Sequence, residues 1–185
     1  MKRLFVAVLV SEEAKEKIKL LRAGLFRTGA DLNLASLSGL HFTLKFLGSV
    51  DESKIPEIKQ KLNQLAKNTN NFEVLIKGMG VFPDLEKIRV VWIGVENSDL
   101  ISLMKETDKE LVRIKKNDYE KEIPHLTIAR VRTEKAKEKL QKFVKKNKDK
   151  EFGKIKVEKL ILYETKIDLL SGLVYKVVGE FDLGH

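Results

Sequence analysis

The sequence predicts an α+β protein of two pseudo-symmetric lobes, each a mostly antiparallel sheet backed by two helices, with a central cleft between the lobes. Three observations support this prediction. Apolar residues alternate with period two in several short segments and recur with helical spacing in four others. The order of these segments repeats along the chain. A pattern of His, apolar, Thr, apolar occurs at residues 41–44 and again at 125–128.

The first segments read as strand, helix, strand and helix. Residues 3–10 form an apolar run of strand length, and Ser11 is a suitable N-cap for a helix with an apolar stripe. Residues 29–38 read as a loop that leads to a strand over 40–46, in which apolar side chains alternate. A second amphipathic helix begins at Ser53.

Two more strands then complete the first repeat. Residues 72–76 alternate as a strand, residues 78–84 contain two glycines and a proline and read as a loop, and residues 88–95 are apolar on both faces. The first repeat therefore contains a leading strand, a helix, a His/Thr strand, a helix and two strands.

The second repeat has the same order without the leading strand. A third helix begins near Ser98, and a charged loop over 115–122 precedes the second His/Thr strand. A fourth helix is predicted over 133–147. Two final strands, over 154–164 and 173–181, are joined by a turn at 168–172.

Composition limits the class of protein. With 185 residues, 43% of them hydrophobic, the chain predicts a single bilobal domain over residues 1–185. The absence of cysteine excludes disulfides, thiolate zinc sites and thiol nucleophiles. Because no apolar run reaches membrane-spanning length, we expect a cytoplasmic protein without a membrane contact. We also expect a monomer. The 34% of charged residues is also typical of thermophile proteins.

The charge balance favours anionic partners. Lysine and arginine number 36 against 27 aspartates and glutamates, which gives a net charge of +9. Nucleic acid is the first candidate for such a chain. Much of the excess is lysine interspersed with glutamate on predicted helices, where it is typical of a solvated face.

The two His/Thr segments predict a shared groove. On a strand, His41 and Thr43 project from one face, and so do His125 and Thr127. Their apolar neighbours bury the other face and fix the register. The third histidine, His185, ends the chain and is expected to be mobile. Every other histidine therefore belongs to the repeated pattern.

Two imidazoles across one gap can act as a base and an acid near neutral pH. Threonine hydroxyls beside them can donate to phosphate oxygens, so the pattern suits a phosphodiester or a cyclic phosphodiester. Two alternatives are open. The histidines can be structural, or they can bind a metal, although two histidines fall short of the three protein ligands of a catalytic zinc. We expect neither a metal nor a cofactor.

Longer stretches resemble a known family. The two His-x-Thr-x motifs are similar to those of the two-histidine phosphoesterase superfamily. Further stretches resemble one branch of this superfamily, the 2'-5' RNA ligases or RNA 2',3'-cyclic phosphodiesterases. These stretches are Arg3-Leu4-Phe5-Val6-Ala7-Val8, Lys45-Phe46-Leu47-Gly48, Gly80-Val81-Phe82-Pro83, Val90-Val91-Trp92-Ile93-Gly94 and Ala129-Arg130.

The resemblance implies a function. It implies metal-free hydrolysis of a terminal RNA 2',3'-cyclic phosphate to a 2'-phosphate, with tRNA halves among the candidate substrates. By the same resemblance His41 is the proton donor, His125 is the proton acceptor, and Thr43 and Thr127 hold the phosphate. Joining of RNA ends through a 2'-5' linkage would be the reverse reaction. A non-catalytic protein that binds RNA ends is the alternative.

The remaining candidate residues lie outside the two His-x-Thr-x motifs. By strict alternation Arg130 points away from Thr127, so the phosphate contact that the resemblance implies needs a bulge, and a surface arginine is the alternative. Lys45 lies on the His41 face by parity and could neutralise phosphate. Phe82 could stack on a terminal base or anchor its loop. We expect Trp92 in the core, and Tyr175 in the core rather than in the cleft.

Overall fold

The structure is a computed structural model that describes residues 1–96, 98–114, 123–168 and 172–184. The predicted charged loop over 115–122, most of the predicted turn over 168–172 and the chain end at His185 lie outside the described residues. The helices are α1 (Glu12–Phe26), α2 (Ile55–Lys67), α3 (Ser98–Glu110) and α4 (Lys137–Lys146). The strands are β1 (Lys2–Leu9), β2 (Leu32–Leu34), β3 (His41–Val50), β4 (Phe72–Pro83), β5 (Ile88–Glu96), β6 (His125–Val131), β7 (Glu151–Val157), β8 (Lys159–Asp168) and β9 (Gly172–Asp182).

The strands form two antiparallel sheets. The first sheet has the order β3-β1-β8-β9, and the second has the order β2-β6-β5-β4-β7. Each sheet thus contains one of the two His/Thr strands. The predicted α+β class with two sheets and four helices is confirmed.

The pairing of the strands refines the predicted repeat. β1 lies beside β3 in the first sheet, as β5 lies beside β6 in the second. The strand that leads into α3 is therefore the counterpart of the strand that leads into α1. The prediction that the second repeat lacks a leading strand was wrong, because a strand that precedes α3 along the chain was counted with the first repeat.

Two helices cover the outer face of each sheet, but they do not follow the chain order. α1 follows a strand of the first sheet and packs against β7 of the second. α3 follows a strand of the second sheet and packs against β3 of the first, beside α2. α4 packs against β4, and α2 against β8 and β9. The lobes therefore exchange helices.

The core is built from the periodic apolar positions that the sequence displays. Four residues of α1, at helical spacing, are buried: Ala14, Ile18, Leu21 and Leu25. Ser11 caps this helix as predicted, since its side chain accepts a hydrogen bond of 3.3 Å from the Ala14 amide. Among the described helices, none is both long enough and apolar enough to cross a membrane.

Several predicted boundaries were wrong. Residues 78–84 lie mostly in β4, which continues through a register shift between Ile76 and Met79. The predicted loop over 29–38 contains the short β2. The predicted strand over 154–164 is two strands of different sheets, because the chain changes sheet at Glu158. The fourth helix begins later than predicted, after Ala136 with its φ of 54°.

Candidate active site

The two His/Thr strands have the alternation that the sequence predicts. Phe42 and Leu126 are fully buried, whereas His41, Thr43 and Thr127 are half-buried. β3 and β6 approach each other where the two sheets meet. The charge of His125 also lowers the pKa of His41, so the two imidazoles lie within range of an electrostatic interaction. Both observations agree with the convergence of the two motifs on one gap, which stays a prediction.

Each imidazole is oriented by a backbone carbonyl two residues before it. Nδ1 of His41 lies 2.6 Å from the carbonyl oxygen of Gly39, and Nδ1 of His125 lies 2.7 Å from that of Ile123. A carbonyl oxygen only accepts, so in both rings Nδ1 carries the proton and donates. Nε2 is then the nitrogen that gains or loses a proton, and both rings present the same atom for proton transfer.

The pKa of His41 is lower than the ordinary value for histidine. Burial of the ring is the main cause, because it disfavours the charged form, and the charge of His125 adds to the effect. The hydrogen bond to Gly39 opposes both. In the free protein His41 is therefore mostly neutral at neutral pH.

A β-bulge follows the threonine in each strand. In β3 the partner of Ala7 is Thr43 and the partner of Val6 is Lys45, so Leu44 is the extra residue. In β6 the partner of Trp92 is Thr127 and the next pair is Val91 with Ala129, so Ile128 is the extra residue. Each extra residue shifts the alternation by one position for the residues directly after it.

The bulge in β6 brings Arg130 to the side of the site. Arg130 pairs with Val90, which lies two residues from Trp92 and thus on the face of Thr127. Its charge lowers the pKa of Tyr175 on β9, against the stronger effect of burial. The guanidinium therefore lies near a ring of the other sheet. The bulge that the phosphate-binding interpretation of Arg130 needs is present.

The bulge in β3 removes Lys45 from the site, and the prediction that it shares the His41 face was wrong. Lys45 pairs with Val6 of the core, and its side chain is 0% exposed in an ion pair with Asp108 of α3. Phe46, which parity assigns to the core, is 63% exposed instead and pairs with Phe5. Phe46 occupies in β3 the position that Arg130 has in β6.

Aromatic side chains surround His41. The ring of Phe5 is 4.8 Å from the imidazole, and the ring of Tyr175 is 5.1 Å away in an edge contact. Tyr163 stacks on Phe5 at 5.3 Å. The prediction of a core position for Tyr175 was wrong, because this half-buried ring lies against His41. Phe5 and Tyr163 were not predicted, although Phe5 alternates with the core residues of β1.

His125 has its own aromatic neighbours. Phe82 makes an edge contact with the imidazole at 4.9 Å, and Trp92 lies 6.4 Å from it. Trp92 is half-buried on the Thr127 face, so its predicted core position was wrong. Its ring covers Gly80, where a Cβ would come within 2.2 Å of the indole. Only glycine at that position leaves room for the indole beside the site.

The described residues hold few potential metal ligands near one another. Within residues 1–96, 98–114, 123–168 and 172–184, no three side chains of histidine, aspartate or glutamate are grouped so that they could hold a metal ion. Among the described residues, the neighbours of the two imidazoles include aromatic rings and backbone carbonyls. This donor set suits proton transfer better than metal binding.

Comparison with known sequences decides the family. The family described as the AKAP7 2'5' RNA ligase-like domain matches residues 5–183. The chain belongs to this family. The resemblance seen in the His-x-Thr-x motifs and their flanks is thereby confirmed, and the match to the 2'5' RNA ligase-like family covers both sheets.

Named relatives match nearly the whole chain. A Methanocaldococcus jannaschii protein named RNA 2',3'-cyclic phosphodiesterase is 35% identical over 179 residues, which are 97% of this chain and 99% of that protein. A Thermotoga maritima protein of the same name is 35% identical over 181 residues, 96% of this chain and 94% of its own. Their thermophilic sources fit the charged composition.

Solved structures have the same fold. The Thermus thermophilus protein TT0787 superposes with a TM-score of 0.80 at 25% identity, covering 98% of this chain and 97% of its own. Escherichia coli LigT without ligand gives a TM-score of 0.78 at 22% identity, covering 100% of this chain and 98% of its own. The two-sheet architecture is thus the architecture of known structures.

The buried pair of Lys45 and Asp108 gives a stability prediction. Asp108→Asn leaves the lysine charge buried without its partner, which is strongly destabilising in a fully buried pair. Since the Asp108 side chain is 33% exposed, we expect a smaller loss, about 2 kcal/mol in the free energy of unfolding by denaturant titration. The double variant Lys45→Met with Asp108→Leu should recover most of it. Equal stability of Asp108→Asn and the unchanged protein would contradict the prediction.

The environment of His41 gives a titration prediction. In NMR spectra His41 should titrate below the unperturbed histidine value of about 6.5, because burial and the His125 charge both disfavour its cation. His125→Ala should raise the pKa of His41 by removing the neighbouring charge. Since the lowered pKa makes the unfolded chain bind more protons, His41 should also reduce stability as the pH falls through about 6.5. An unchanged His41 titration in His125→Ala would contradict the proposed proximity.

Proposed function

We propose that this protein is a metal-independent RNA 2',3'-cyclic phosphodiesterase that hydrolyses a terminal 2',3'-cyclic phosphate to a 2'-phosphate. The observation that supports it most is the pair of imidazoles at the junction of the sheets, each with Nδ1 bonded to a carbonyl. Both rings therefore have Nε2 available for proton transfer. The name shared by the archaeal and bacterial relatives agrees with this reaction.

In the proposed mechanism the two histidines have opposite roles. Nε2 of His125 takes a proton from water as the water oxygen bonds to phosphorus. The bond from phosphorus to the 3'-oxygen breaks, and Nε2 of His41 gives this oxygen its proton. A negative phosphate beside His41 favours the imidazolium and opposes the effect of burial on its pKa. The assignment of acid and base follows the family resemblance.

Side chains around the imidazoles bind the phosphate and the terminal nucleotide. Thr43 and Thr127 donate from their hydroxyls to the non-bridging oxygens, whose negative charge grows in the transition state. Arg130 adds a charged donor on the Thr127 side. Phe82, at 4.9 Å from the His125 ring, offers an aromatic face to the terminal base.

The same groups support the joining of two RNAs, in which another hydroxyl attacks the same cyclic phosphate. If the 5'-hydroxyl of a second RNA takes the place of water, attack on the cyclic phosphate forms a 2'-5' linkage and releases the 3'-oxygen with a proton. No nucleotide cofactor is consumed, because the cyclic phosphate itself is the activated group. The two products differ only in which hydroxyl reaches phosphorus.

Substitution of the histidines tests the proposed hydrolysis. His41→Ala and His125→Ala should each lower kcat by about 10²-fold to 10⁴-fold, the usual contribution of one acid or base. The measurement is turnover of a 2',3'-cyclic mononucleotide, with the product assigned by phosphorus NMR as the 2'-phosphate. The unchanged protein should give a bell-shaped pH dependence, since one ring must be neutral and the other protonated.

Two controls separate this reaction from its alternatives. The rate should be the same with and without a chelator, and a chelator-sensitive rate would defeat the metal-free proposal. Binding of the cyclic nucleotide without turnover by the unchanged protein would instead identify a protein that only recognises RNA ends. A 3'-phosphate product would contradict the proposed mechanism, because the 2'-oxygen would then be the leaving group.

The joining reaction has its own measurement. RNA fragments that carry a cyclic phosphate and a 5'-hydroxyl are incubated together, and joined and hydrolysed products are separated by electrophoresis. We expect hydrolysis to dominate, because water far exceeds any second RNA in concentration, with joining increasing as the fragment with the 5'-hydroxyl becomes more concentrated. Loss of hydrolysis in His41→Ala with joining retained would show that the two reactions do not share this site.

A further inference from the structure

A second concavity lies outside the His/Thr site, beside the C-terminal part of α1. It has a volume of about 410 Å³. Four apolar side chains and three cations line it, which are Ala23, Phe26, Leu34 and Leu37, and Lys19, Arg22 and Arg27. We refer to this concavity as the α1 groove.

The cations of the α1 groove are largely free of carboxylate partners. Lys19 forms an exposed ion pair with Glu16 at 3.2 Å. Arg22 and Arg27 form no ion pair with any residue that the structure describes. The Nε atom of Arg22 is also buried without a hydrogen-bond acceptor in the described part of the chain. Two arginines that line one concavity without carboxylate partners favour an anionic ligand.

Phe26 adds an aromatic surface to these charges. Its side chain is 72% exposed although it lies at the end of a helix whose other large apolar residues are mostly buried. An exposed aromatic ring beside unpaired arginines is the combination with which proteins bind single-stranded nucleic acid, since bases stack on the ring and phosphates approach the cations.

The α1 groove lies at the β2 edge of the second sheet, close along the chain to the candidate active site. β2 pairs with β6, so that Leu34 of the groove is opposite the buried Ala129, and Asn33, on the other face of β2, is opposite Arg130. Leu37 is four residues from His41, which limits their separation to about 14 Å. Between them lies Gly39, whose carbonyl orients the His41 ring. The segment 34–39 thus lines the α1 groove at one end and supports the imidazole at the other.

We propose that the α1 groove binds the single-stranded RNA next to the nucleotide that carries the cyclic phosphate. This inference rests on the proposed function, because it assigns the body of the same substrate to a second surface. Unpaired cations match the phosphates, and the exposed phenyl ring matches an unpaired base. A duplex has no free base face for Phe26, so the occupant is a single strand.

Kinetics with two substrates test the assignment. The double variant Phe26→Ala with Arg27→Gln removes the ring and one cation, both on the surface. For a short single-stranded oligoribonucleotide that ends in a 2',3'-cyclic phosphate, KM should rise about tenfold, the effect of one lost stacking contact. For a 2',3'-cyclic mononucleotide, kcat and KM should not change, because that substrate does not reach the groove.

A matched control variant combines Leu20→Ala with Lys105→Gln. Leu20 is 75% exposed on the same helix, Lys105 is exposed on α3, and neither lines the groove. This variant loses the same charge and a similar apolar surface, so its KM for both substrates should match that of the unchanged protein. An equal rise of KM in both variants would overturn the proposal, since charge alone would then explain binding.

A binding measurement keeps the inference separate from the proposed reaction. Fluorescence anisotropy with a labelled single-stranded RNA that ends in a 3'-hydroxyl needs no turnover. The groove variant should bind about tenfold more weakly than the control variant. Equal binding by the two variants overturns the groove, even if the cyclic phosphate is hydrolysed. If neither cyclic substrate is hydrolysed, the proposed function fails, and this comparison still decides whether the groove binds RNA.

Discussion

The extra residue in each His/Thr strand is the constraint on which the rest of the site depends. Leu44 in β3 and Ile128 in β6 have no partner of their own in the neighbouring strand. A bulge increases the local twist and reverses which face the following side chains occupy. In both sheets, the first residue after the bulge therefore points into the core, and the second points to the face of the histidine.

Much of the site could be predicted because its information is local. Alternation over four residues is enough to show that His41 and Thr43 share a face, and the repetition at His125 and Thr127 adds that two such faces exist. The bulges could not be predicted in this way. Leu44 and Ile128 are apolar and buried, so an extra residue leaves the pattern of apolar positions unbroken. Parity then fails for the residues directly after each bulge, which are Lys45 and Phe46 in β3 and Ala129 and Arg130 in β6.

The remaining errors come from contacts between distant parts of the chain. Lys45 is buried because Asp108 lies 63 residues further along and reaches it from α3. Tyr175 and Trp92 look like core residues because they lie on apolar strands, yet their rings line the site since the uncovered faces of the two sheets meet there. The change of sheet at Glu158 also follows from strand pairing, because β7 pairs with β4 and β8 pairs with β1. Periodicity within one segment contains none of this information.

The two halves of the site are alike in backbone but not in chemistry. At matching positions five residues after each histidine, one sheet has the phenyl ring of Phe46 and the other has the guanidinium of Arg130. A two-fold rotation that exchanges the two imidazoles would therefore place the Phe46 ring at the position of the Arg130 guanidinium. An asymmetric ligand meets two inequivalent ends, so near-symmetry of the fold still leaves the site with a polarity that distinguishes one histidine from the other.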